Sequence, residues 1–451
     1  MAQDTGATQQ QQAPAPQQQP AVRPLPSTGA VSGVLEALAF FREPDFAQRR
    51  FEQFGDVFET SLLGQSMVFI RGTQAISDLL TQGEAVEGWW PESVRQLLGS
   101  QSLANRNGAS HKARRRVVGQ LFSAAALRRY SPRIIALVND LAAELQAANV
   151  PVALAPRMRR FAFSVIAEVV LGLEGRDRDA LFSDFEIWTK ALFSIPVAIP
   201  GSPFAKALAA RQRLLDRLQQ VLAQAPQGSG GLDLLAGGLD ELGVPLTDSD
   251  VVEQLLLLLF AGYETTASSL SCLVRALLLE PQVQGWLRDE VDQLSWPPAP
   301  ENAAAAYDPQ HAPRLDAVVQ EVLRLTPPVG GFFRRTVQPL VLDGVLVPAG
   351  KVIQVALAAS NRYDHTHTAA DLETFRPQRH LEGIGSVALL PFGGGERVCL
   401  GKALAELEIR LMVVGLLRQL HLELTPDQDL SLQLLPSPSP RDGLLVHARA
   451  A

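Results

Sequence analysis

The chain has 451 residues, 47% of them hydrophobic, with 40 basic against 47 acidic side chains and a formal net charge of −7. That length and apolar content allow a large core, and the missing basic excess argues against nucleic acid as a partner. Its two cysteines, Cys272 and Cys399, lie far apart and in no CxxC, which excludes a disulfide framework or an iron–sulfur cluster and suits a reducing cytoplasm.

Residues 1–30 are rich in Gln, Pro and Ala and are expected to form a disordered tail. They lack the basic-then-apolar order of a signal peptide or anchor. Elsewhere the longest apolar run, Leu255 to Tyr263, is cut by Glu264 and is too short to span a membrane. Val57 to Ile70 reads as two β-runs joined by Leu63-Gly64-Gln65. Beyond it the periodicity is mostly helical. Trp89-Trp90-Pro91-Glu92-Ser93 is a loop carrying large rings, a pattern that more often means packing than recognition. Gly108 to Arg116 is a basic run opening a helix; a solvated face is the ordinary reading, although His111 and Arg115 share one side of that helix at i and i+4. Residues 157–225 read as several helices around an apolar connector, Phe193 to Pro200, that is either an entrance for greasy ligands or a packed loop. Gln224 to Gly231 is a Pro/Gly/Ser break.

Thr247, with Asp250 three residues on, starts a helix that runs to Glu280 before Pro281. At its centre stands Ala261-Gly262-Tyr263-Glu264-Thr265-Thr266, where a glycine, a carboxylate and two β-branched alcohols contradict helix propensity. Such a break in a local rule points to function, unless Thr265 merely bonds back to a helix carbonyl. After a Pro/Ala-rich linker, Ser295 to Pro313, a helix from Leu315 to Leu325 carries Glu321 and Arg324 at i and i+3, a spacing common to surface ion pairs. Pro328 to Arg335 leads into a sheet, Leu340 to Leu357 alternates like strands around Pro348-Ala349-Gly350, and Leu430 to His447 suggests a last β-hairpin.

Pro391-Phe392-Gly393-Gly394-Gly395-Glu396-Arg397-Val398-Cys399-Leu400-Gly401 places one cysteine after three glycines and just before an amphipathic helix reaching about Arg418. Glycines admit a flat ligand, and the N–H groups opening the helix favour thiolate over thiol. A lone cysteine is usually a small buried hydrophobe. The full pattern Phe392-x-x-Gly395-x-Arg397-x-Cys399-x-Gly401, however, resembles the haem-ligand loop of the cytochrome P450 family. Four other stretches fit the same family in its order: His111-x-x-x-Arg115, Ala261 to Thr266, Glu321-x-x-Arg324, and Phe375-x-Pro377-x-Arg379, the last with His380 where phenylalanine is usual.

The resemblance, over about residues 40–450, implies a cytochrome P450 fold, mainly α with a small β region, in one large haem domain over 31–451. It implies haem b as cofactor, with Cys399 as the iron ligand, Phe392 shielding the sulfur, and His111, Arg115, Arg334 and Arg397 facing the propionates. Ala261 and Gly401 would make room for the porphyrin. Glu264 and Thr265 would relay protons to dioxygen, and Glu321, Arg324 and Arg379 would lock the scaffold behind the haem. Trp89, Trp90, Val329, Gly330 and Phe332 would line the substrate pocket. The implied activity is a soluble, cytoplasmic haem-thiolate monooxygenase, inserting one atom of O2 into an apolar small molecule. No GxGxxG follows a strand, so a separate ferredoxin or flavodoxin system with its reductase would supply the electrons. Trp90-Pro91-x-Ser93, Leu97-Leu98-Gly99 and Pro327 to Gly331 look most like the branch that holds retinoic-acid hydroxylases and their cyanobacterial relatives, making a retinoid, a terpenoid or a fatty acid the expected substrate. Two other classes are distinguishable: a haem sensor or carrier without turnover, which Glu264-Thr265 argues against, and a cysteine-nucleophile enzyme with His380 as base.

Overall fold

The computed structural model describes residues 22–29, 33–43, 46–62, 65–173, 175–192, 194, 196–224, 231–299, 303, 305–363, 369–382 and 389–451. Residues 1–21 of the expected tail, Leu63 and Gly64 of the hairpin, Phe193 and Ile195 of the connector, and 225–230 of the break lie outside these. The expected mainly helical architecture with a small β region is what the chain forms.

One sheet holds five strands: β1 (Val57–Leu62), β2 (Gln65–Ile70), β3 (Val86–Gly88), β4 (Phe332–Thr336) and β5 (Val352–Val355), in the spatial order β1-β2-β5-β4-β3. β1 and β2 are the predicted antiparallel pair, Val57 opposite Ile70, while β2 and β5 run parallel, Met67 opposite Val352. Phe51, Phe58 and Phe69 are buried against this sheet, Phe51 edge-on to Phe58 (centroids 5.1 Å apart) and Phe58 stacked on Phe69 (5.4 Å), so aromatic packing anchors β1 and β2. Residues 22–29 do not hang free. Arg23 N–H donates to Gly344 O (2.8 Å), Leu346 N–H to Arg23 O (3.0 Å), Thr28 N–H to Glu59 O (3.0 Å) and Glu59 N–H to Pro26 O (2.8 Å), so the low-complexity boundary falls earlier than composition suggests.

The helices that position the site are α1 (Glu92–Leu98), α2 (Gly108–Gly119), α3 (Ala124–Ala147), α4 (Leu154–Leu171), α5 (Asp248–Leu279), α6 (Pro313–Leu325) and α7 (Lys402–Gln419). α5 is the long helix predicted. Thr247 caps it by accepting from Asp250 N–H at 3.2 Å, and its 32 residues extend roughly 48 Å at 1.5 Å each. By length and composition α5 could cross a membrane, but 67% of its most apolar window is buried inside the protein. It is the axis of the main core, packed directly against α4 and α7. Gly262 is required by the first contact: a Cβ there would lie 2.7 Å from Ile166 of α4. This glycine therefore serves the close approach of two helices.

The last predicted hairpin forms only in part. Leu432–Gln433 pairs with Ser439–Pro440, whereas Leu445–Ala450 joins Leu420–Leu424 and Val152–Ala153 in a separate sheet. Leu340–Leu342 and Val345–Val347 turn at Asp343-Gly344, both left-handed (φ 46° and 71°), and Gly350 (φ 83°) turns the chain into β5.

Candidate functional site

The loop before α7 bends through left-handed backbone at Gly393 (φ 68°) and Gly395 (φ 65°), conformations that a Cβ disfavours. Cys399 N–H closes the turn by donating to Phe392 O at 2.9 Å. At Gly401 the backbone is ordinary (φ −82°), and an added Cβ would rest 3.9 Å from Cys399 Sγ. Cys399 is exposed, yet burial by the surrounding protein still pushes its thiol pKa up, against the N–H groups of Gly401 and Lys402 and the Arg115 charge. The thiolate preference expected from the helix terminus is thus outweighed by desolvation, and a cation bound at the sulfur is what would reverse it.

Four basic groups converge beside this loop. Arg115 Nη2 donates to Val398 O (2.6 Å), Arg334 Nη1 to Phe333 O (2.8 Å), and Arg397 Nη2 to Arg106 O and Asn107 Oδ1. All these acceptors are neutral. Among the described residues, none of the three guanidiniums pairs with a carboxylate; Glu396 is taken by Lys112 at 2.9 Å. Burial first, and Arg397 second, hold Arg334 at about 10. Burial, then Arg397, Arg115 and Arg334, hold His111 at about 4, so its ring is neutral at pH 7. Cations kept this close without a counter-charge form a receptor for anions.

Ala261, near the midpoint of the mostly buried α5, is exposed, and Val329 and Gly330 are exposed after α6. Thr265 donates to Ala261 O at 2.6 Å, the back-bonding that sequence reading weighed as the ordinary alternative. Glu264 points to a partner that sequence reading missed, Arg159 of α4, at 3.5 Å. Trp89 and Trp90 pack edge-on against Phe333, centroids 5.4 and 6.4 Å apart, while Arg334 lies over Phe332 at 4.6 Å.

The expected Glu321–Arg324–Arg379 group is assembled and fully buried. Glu321 receives Arg324 through two bonds (2.8 and 2.9 Å), Arg379 Nε (3.0 Å) and Arg376 N–H (2.9 Å). His380, the departure from the usual phenylalanine, brings Nε2 to 2.8 Å of the same carboxylate. A cysteine-nucleophile reading therefore loses its base to this cluster. Burial alone would raise Glu321, but the bonds from Arg324 and His380, the Arg324 charge and the Arg376 N–H hold it at about 2.

The cytochrome P450 family model matches residues 33–447. The chain belongs to the cytochrome P450 family. A putative cytochrome P450 120 of Synechocystis is 35% identical over 91% of this P450 and 93% of the relative. Cytochrome P450 26B1 of Danio rerio is 31% identical over 90% and 83%, and human cytochrome P450 26C1 is 31% identical over 88% and 83%. A solved structure of cyanobacterial CYP120A1 with retinoic acid bound superposes with a TM-score of 0.86 at 33% identity, covering 96% of this P450 and all of that chain. This P450 is accordingly a haem-thiolate monooxygenase with the P450 fold and haem b as its cofactor. Its residues fit that group: one exposed thiol after a glycine turn, and three guanidiniums bonded only to neutral oxygens among the described residues, ready for two carboxylates.

Proposed function

We propose that this P450 hydroxylates a retinoid or a similarly long apolar acid, taking electrons from a ferredoxin or flavodoxin system in the cytoplasm. The observation that carries the substrate is the likeness, along nearly the whole chain, to a relative solved with retinoic acid bound. Exposed Val329 (43%), with the Trp89–Trp90–Phe333 rings, supplies apolar surface that such a ligand would cover, at about 25 cal/mol per Å².

In this reading Cys399 holds the iron, and bound haem supplies O2 activation, with the thiolate's electron density favouring O–O cleavage. Arg115, Arg334 and Arg397 hold the propionates, and the neutral His111 ring beside them gains a proton or donates a hydrogen bond once a carboxylate arrives. Because Thr265 commits its own hydrogen to Ala261 O, its oxygen is left as an acceptor. Glu264, paired with partly exposed Arg159 at 3.5 Å, stands next to Thr265 in the chain and would pass protons from solvent toward it. One oxygen atom enters a C–H bond of the substrate and the other leaves as water, consuming two electrons and two protons.

The test is spectroscopic. Reduced holoprotein with carbon monoxide is expected to give the absorbance of thiolate-ligated haem, and all-trans-retinoic acid is expected to shift the haem spectrum and yield an O2-dependent product with a surrogate reductase. A shift with lauric acid or a terpene but none with retinoic acid would overturn the substrate.

A further inference from the structure

Asn107 stands at the N-cap position of α2 with extended backbone (φ −131°, ψ 167°), yet its side chain makes no capping hydrogen bond. An asparagine there ordinarily accepts from the second or third N–H of its helix. This one reaches across to β3 instead. Its Oδ1 accepts from Gly88 N–H at 2.8 Å and its Nδ2 donates to Gly88 O at 3.2 Å, pairing the amide with a strand residue as another strand would. The same Oδ1 accepts from Arg397. Only a side-chain amide carries donor and acceptor side by side, so a serine could cap the helix but could not make this bracket.

A Cβ at Gly88 would fall 2.3 Å from the Arg397 guanidinium carbon, so any other residue there would push that guanidinium aside. Opposite it in the sheet is Arg334. The end of β3 is therefore wedged between two of the unpaired arginines. The next two residues are Trp89 and Trp90, the rings resting on Phe333.

We propose that Asn107 is a positioning residue, fixing the Trp89–Trp90 wall of the ligand site to Arg397 so that ligand affinity depends on an amide that touches neither ligand nor cofactor. The inference rests on the cofactor-facing reading of Arg397, and its local part, the hold on Gly88, is measurable without any substrate. N107S offers a hydroxyl able to cap α2 and loses the bracket. In holoprotein, hydrogen exchange of the 86–90 amides should quicken about tenfold in N107S, with haem content and the carbon monoxide spectrum as in the unaltered protein. The dissociation constant of retinoic acid should rise by a similar factor, with KM raised more than kcat is lowered. N107D keeps the acceptor without the donor and sets a carboxylate on Arg397, so it should also release haem faster. Unchanged exchange at Gly88 in N107S overturns the proposal. Haem loss from N107S as large as that from R397A overturns it too, because Asn107 would then hold only the cofactor loop. Should the unaltered protein not bind retinoic acid, the substrate reading fails alone and exchange still decides this one.

Discussion

Two arginine-rich clusters flank the fold, and they are opposites. Around Glu321, one carboxylate is enclosed by Arg324, Arg379, His380 and a backbone N–H, and every strong charge has its partner within the chain. Around Arg397, three guanidiniums and a histidine crowd together with only carbonyl and amide oxygens for company. The first is complete without any ligand. The second makes electrostatic sense when an anion joins it, so the balance of charge separates a scaffold from a binding site where residue type alone does not.

Mutations can break that contrast. E321Q should be the most damaging, leaving Arg324 buried without a counter-charge, while Arg379 keeps Asp371 at 3.2 Å, at a cost of about 3–5 kcal/mol, read as a fall in the urea midpoint of apoprotein and holoprotein alike. R397A should barely alter the urea midpoint of the apoprotein, since it relieves repulsion, but should speed haem transfer to apomyoglobin about 10- to 100-fold. The contrast extends to pH. Glu321 is held at about 2, below its ordinary value of 4.5, so its contribution is fully present above about pH 4.5 and is lost as pH falls toward 2. His111 is also lowered, from 6.5 to about 4, because the fold resists its protonation; apoprotein stability should therefore rise with pH between about 4 and 6.5, and H111Q should flatten that rise in urea titrations. K112A should be the mildest, with no measurable change in midpoint, because the Lys112–Glu396 pair is exposed on both sides.

Much of this was legible in the sequence where signals are local. α5 declared both its ends, through Thr247 with Asp250 and through Pro281, and the glycine–cysteine loop declared its turn. What depends on distant partners was not legible. The parallel pairing of β2 with β5 joins residues about 285 positions apart, and no nearby pattern announces it. Nothing in the sequence singles out Asn107 until Gly88 is seen beside it, and His380 reads as a defect in a motif until its ring is found on Glu321. Gly262 fits the family segment for one reason and the α4 contact for another, a distinction that only packing reveals.

The strap formed by residues 22–29 carries a practical lesson for anyone shortening this chain. It laces the β1 edge to the Leu340–Val347 hairpin, and removing it would expose backbone donors on Glu59 and Leu346 and an acceptor on Gly344. A version trimmed at Gly33, where the first helix begins, should melt several degrees earlier than one trimmed at Val22, even though both discard only sequence that looks expendable on paper.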